Sequence, residues 1–88
     1  MMTKEAIKAA YAHTIRNRAE ILRSLNCCCI GCRSIFQARE VGDWIDGGQT
    51  AMCPYCNVDA VIGDASGHQL SMDFINIMHR EYFDYEIH

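Results

Sequence analysis

Cys29-Ile30-Gly31-Cys32 and Cys53-Pro54-Tyr55-Cys56, together with the twenty residues between them, decide how this chain folds. The pattern is C-x2-C-x20-C-x2-C, at the upper edge of the spacing for a four-cysteine zinc site. Two residues between cysteines allow a tight turn that aims both sulfurs at one point, where backbone N–H groups can hydrogen-bond the thiolates. Gly31 and Asn57 suit such turns because both accept positive φ, and Pro54 stiffens the second by fixing its own φ. Two turns brought together complete a tetrahedron of thiolates with metal–sulfur bonds near ~2.3 Å. Cys29, Cys32, Cys53 and Cys56 are therefore the candidate metal ligands. An all-sulfur tetrahedron suits zinc or iron, and Zn²⁺ is the expected ion. With four protein ligands no coordination position stays open, so the zinc is expected to be structural and the chain not an enzyme.

The surroundings of these turns agree with a metal. The chain has 88 residues, enough for one domain over 1–88 but with little surplus stability from its core. Half of the residues are apolar, as in a folded domain. Six cysteines in this length indicate either a disulfide framework or a metal site. Met1-Met2-Thr3-Lys4-Glu5-Ala6-Ile7-Lys8 contains no apolar run of the signal-peptide kind, and no stretch approaches the ~20 apolar residues of a membrane span. The expected location is cytoplasmic, with no membrane association, and reducing cytoplasm disfavours disulfides. Cys27 and Cys28 fit the turn spacing less well than Cys29. One is expected to be a small buried apolar residue at a helix end and the other half exposed.

Outward from the turns, residues 3–26 read as one long helix. Thr3 caps it, and Ile7, Tyr11, Ile15, Ala19, Leu22 and Leu25 form a stripe at helical spacing. Asn26 is a suitable stop. Such a stripe serves as internal core or as a homodimer seam along 3–26. Residues 27–63 read as the ribbon. It has short strands around Ser34–Ala38, Thr50–Met52 and Val58–Ile62, a turn at Asp46-Gly47-Gly48, and Phe36 and Trp44 as its small core. Asp64 and Ser66 read as turn-formers rather than catalytic groups. Ser71 caps a second helix over 71–83 whose apolar face is Phe74, Ile75, Met78 and Tyr82; residues 83–88 are expected to fray. The fold expected is small α+β: a zinc ribbon of short antiparallel β hairpins with two zinc knuckles, flanked by a long N-terminal and a shorter C-terminal helix. His13, His68, His79 and His88 share no ligand-like spacing.

Charge divides the chain. Residues 1–39 carry seven basic residues against two acidic, and residues 40–88 carry nine acidic against one basic. A net charge of −3 and a pI near 5.7 argue against phosphate binding as the main activity. The expected role is a protein-interaction, adaptor or inhibitor module. The alternative is a nucleic-acid-binding regulator that uses the basic N-terminal helix. Arg16, Arg18, Arg23 and Arg33 are the candidate partner-binding residues in either case.

The stretch from Cys29 to Phe83 also resembles a family of small bacterial and phage four-cysteine ribbon proteins, described as cytoplasmic and of unknown function. The likeness runs through Cys29-x-x-Cys32, Phe36, Glu40, Trp44, Thr50-Ala51-x-Cys53-Pro54-Tyr55-Cys56, Asp59, Val61-Ile62-Gly63-Asp64 and Ser66-Gly67. It implies the same four ligands and no activity. The N-terminal helix, Cys27 and Cys28 lie outside it.

Overall fold

The computed structural model of the chain describes residues 2–84; of the loose tail expected over 83–88, residues 85–88 lie outside the described residues and Phe83 is instead the last residue of a helix. Helix α1 covers Lys4–Tyr11 and is capped by Thr3, whose Oγ1 accepts from the Ala6 amide at 3.0 Å. A single 3₁₀ turn, Ala12–Thr14, continues it. The long helix expected over 3–26 then breaks. Ile15 is extended, Arg16 is left-handed at φ 48, and a separate helix α2 covers only Arg18–Leu22.

Asn17 is the physical reason for the break. It is buried, and its side-chain amide donates to the carbonyls of His13 (2.9 Å) and Val61 (2.8 Å) and accepts from the Ala51 amide (3.0 Å). Amides that an unbroken helix would keep for itself go elsewhere. Arg16 donates to Thr50 Oγ1 at 2.9 Å and Arg18 to the Gln49 carbonyl at 3.0 Å. Every buried backbone donor needs a partner, and here the ribbon supplies better ones than the helix. The apolar stripe is divided with the helix. Ile7 packs inward, whereas Ile15, Leu22 and Leu25 face solvent and Ile21 enters the core in their place. No continuous seam for a dimer runs along 3–26.

Strand β1, Asn26–Cys29, is the centre of a three-stranded antiparallel sheet. Strand β2, Ile35–Gln37, pairs it on one side with Cys27 opposite Phe36. Strand β5, Val61–Gly63, pairs it on the other with Cys28 opposite Ile62. Between them, β3 (Trp44–Ile45) and β4 (Thr50–Ala51) form a separate hairpin. Its turn at Asp46, Gly47 and Gly48 has positive φ throughout, as Asp-Gly-Gly predicts. Arg18 fastens this hairpin, donating to the Gly48 carbonyl at 2.9 Å and lying 4.8 Å over the Trp44 ring.

Cys27, Cys28 and Cys29 point alternately to the two faces of β1, yet all three are fully buried, so both faces of this strand are covered. Neither Cys27 nor Cys28 ends a helix, and neither is half exposed. Gly63 permits close approach of α2: a Cβ there would overlap Ser24 Oγ and come within 2.9 Å of Ser24 Cβ. The 3₁₀ turn Asp64–Ser66 follows, and the Asp64 carboxylate accepts from the amides of Leu25 (3.1 Å) and Asn26 (3.0 Å), fixing the start of β1. Helix α3, Met72–Phe83, is capped by Ser71 Oγ accepting from the Phe74 amide. It buries Phe74, Ile75 and Met78 and stacks Tyr82 on Tyr11 of α1 at 3.9 Å. Among the described residues, no helix is long and apolar enough to cross a membrane.

Candidate metal centre

Each cysteine pair lies in a turn built the same way. In the first, the Cys29 amide donates to the Ser34 carbonyl at 3.0 Å and the Arg33 amide to the Cys29 carbonyl at 2.7 Å. In the second, Cys53 donates to Val58 and Asn57 donates to Cys53, both at 3.0 Å. The residue after the second cysteine is left-handed in both turns, Arg33 at φ 66 and Asn57 at φ 61. Asn57 meets the expectation. Gly31 does not, since Arg33 carries the positive φ. A Cβ on Gly31 would touch Cys29 Sγ at an ordinary 3.5 Å, so nothing in the turn's geometry demands glycine there.

The structure brings Cys29, Cys32, Cys53 and Cys56 together, with all four sulfurs within 4.8 Å of one another. The pairs between the two turns are 3.6 Å apart for Cys29–Cys56 and 3.8 Å for Cys32–Cys53. A disulfide needs about 2.05 Å, and all six cysteines are free thiols. A tetrahedron of sulfurs around an ion at ~2.3 Å has edges of about 3.8 Å. The two separations between the turns match that edge, so the four residues can hold a metal ion such as zinc.

Backbone and hydroxyl donors surround the sulfurs. The Tyr55 amide donates to Cys53 Sγ at 3.3 Å, and Ser34 Oγ lies 3.0 Å from Cys32 Sγ and 3.9 Å from Cys53 Sγ. Burial pushes the Cys29 thiol well above its ordinary range, against the Cys32 and Gly31 amides that favour its thiolate. Burial likewise raises Cys56. At Cys32 burial also pushes upward, but the Ser34 hydroxyl and amide, with Cys56 and Cys53, outweigh it and bring the thiol down to about 7. Cys27 and Cys28 are pushed up to about 12, chiefly by burial, with the Asp64 charge adding to the first and Cys27 to the second. They stay protonated at neutral pH and belong to the core. Ser34 is the contributor that the sequence reading missed. Its signal is a small hydroxyl residue two positions after a knuckle cysteine, where its own amide also reaches the sulfur.

Helix α3 braces the first knuckle. His79 Nδ1 bonds the Ile30 carbonyl at 2.9 Å, and Arg33 donates to Asn76 Oδ1 at 3.3 Å. The second knuckle is held at its rim, where the Tyr55 hydroxyl donates to Glu40. The four candidate arginines do not form one cluster. Arg33 belongs to the first knuckle and Arg18 to the hairpin, whereas Arg16 and Arg23 line one hollow beside α2. Two further histidines make structural contacts, His13 with Glu20 at 2.8 Å and His68 stacked on Phe74, and His88 lies outside the described residues.

No protein-family model matches this chain, and no curated protein or solved structure matches it. What defines it is its own architecture, a small α+β chain whose strands and helices hold four cysteines in metal-binding geometry.

Proposed function

We propose that the chain is a cytoplasmic zinc-ribbon module. In this reading a single Zn²⁺ on Cys29, Cys32, Cys53 and Cys56 welds the fold, and the protein acts by binding another protein, as an adaptor or inhibitor. The agreement between the sulfur separations of 3.6 and 3.8 Å and the edge of a thiolate tetrahedron carries the zinc reading. Four sulfurs complete the ion's coordination and leave no place for water or substrate, so the zinc is structural and the chain is not an enzyme. The two knuckles come from segments far apart in sequence, and the ion joins them. Binding of this kind supplies an apparent ~10–16 kcal/mol in zinc-finger peptides, more than a core of this size has in surplus. The nucleic-acid reading has less support, because Arg18 and Arg33 are engaged within the chain.

Metal analysis of reduced, purified protein tests this reading. The expected content is about one zinc per chain, with loss of native circular dichroism on adding a strong chelator. Cys53→Ser should lose the metal and the cooperative melt together. Metal-free protein that melts cooperatively with chelator present would falsify the proposal. Purification of the tagged protein from its host tests the second half: a stoichiometric protein partner is expected.

A further inference from the structure

The broken helix leaves an unusual surface. Ile15, Leu22 and Leu25 are 51, 65 and 74% exposed, and Ala19 lies exposed among them. These are four members of the helical stripe, turned away from the core by the kink at Asn17. A five-residue helix is far below the length that is stable alone. Asn17 and Ile21 hold its other side, so the outward face is rigidly presented.

Beside the aliphatic residues is a hollow of about 260 Å³, lined in part by Ile15, Arg16, Ala19, Glu20 and Arg23. Its charge is positive on balance, with Arg16 and Arg23 against Glu20, whose carboxylate is bonded to His13 Nδ1 at 2.8 Å. Among the described residues neither arginine has a carboxylate within salt-bridge distance, and Arg23 donates to the Ala19 carbonyl at 3.3 Å. Arg16 is held at φ 48 by its amide's bond to Thr50 Oγ1, a conformation that residues other than glycine rarely adopt.

We propose that this face is where the partner docks, and that the partner offers an acidic amphipathic helix. Its aliphatic side chains would cover Ile15, Ala19 and Leu22, and its flanking carboxylates would meet Arg16 and Arg23. This inference deepens, and rests on, the protein-binding reading above. Charge complementarity selects the occupant. The exposed aliphatic side chains ask for aliphatic side chains rather than bases, and two guanidiniums against one carboxylate ask for further carboxylates. A second copy fits less well, because it would bring another Arg16 and Arg23 to the interface and leave its charge positive on balance.

The test is fluorescence anisotropy with three probes: a labelled helical peptide with a leucine stripe flanked by glutamates, its leucine–lysine counterpart, and a short DNA duplex. The acidic peptide should bind, several-fold less tightly when salt is raised. Leu22→Glu, and the double variant Arg16→Glu with Arg23→Glu, should each weaken it at least about tenfold. Met72→Glu, at an exposed methionine on α3, should leave it unchanged. The docking surface is overturned if the acidic peptide fails to bind, if the basic peptide or the duplex binds as well, or if Leu22→Glu has no effect. It is also overturned if sedimentation shows a dimer that Leu22→Glu dissolves. Zinc content is measured on the same samples. Failed peptide binding with one zinc per chain refutes the surface alone, and absent zinc refutes the structural-metal reading independently.

Discussion

Ser34 places its hydroxyl 3.0 Å from Cys32 Sγ, the largest of the influences that favour the Cys32 thiolate. A hydrogen bond to a thiolate stabilises the charged form and orients it. Ser34→Ala should leave the fold intact and weaken zinc about tenfold, read by competition with a chromophoric chelator. The neighbouring cysteines behave oppositely. Cys27 and Cys28 are fully buried in β1, and burial keeps them as thiols. Replacing both with alanine should leave zinc stoichiometry at the wild-type value and cost only packing, ~1–3 kcal/mol in a urea titration. Sequence spacing separated Cys29 from its two neighbours. It gave no hint that the neighbours lie on a central strand, because three successive cysteines carry no periodicity.

At the scale of elements, the decisive event is the break between α1 and α2. Residues 3–26 contain no glycine and no proline, and their apolar spacing is helical. Those local signals are outweighed by the three hydrogen bonds of the buried Asn17 side chain, to His13, Val61 and Ala51. Asn17→Ala strands the Val61 carbonyl and the Ala51 amide in the core. It should destabilise the protein by ~2–4 kcal/mol in a urea titration of the zinc-loaded form. The other elements were easier to read. Helix α3 and its Ser71 cap fall where the sequence puts them, because an N-cap followed by an amphipathic run is a local signal. In the knuckles, the left-handed residue is set by the position after the second cysteine. Asn57 shows that position in sequence; Arg33 does not, since arginine has no preference for it.

For the molecule as a whole, folding and metal binding are expected to be one event, and pH should reveal it. The metal-free chain is then unfolded, and its ligand thiols start protonated at neutral pH, as free cysteines do. Zinc must displace those protons, and its apparent affinity therefore falls as pH falls. The slope of log affinity against pH should correspond to about three to four protons below about pH 8 and level off above about pH 9. Competition titrations on either side of neutrality measure it, and a slope of about one proton or less would show that metal binding and folding are not coupled in this way.

The sequence by itself determined the four-sulfur cluster, the C-terminal helix with its cap, the turn at Asp46-Gly47-Gly48 and the α+β class. Each is written in spacing or in residues with sharp local preferences. Only the tertiary structure decided the fate of residues 15–25 and of Cys27 and Cys28. Asn17 reaches backbone groups 34 and 44 residues away along the chain, and β1 is buried because other parts of the chain cover both of its faces. Long-range hydrogen bonds and coverage from both faces leave no periodic mark in the segments they reshape.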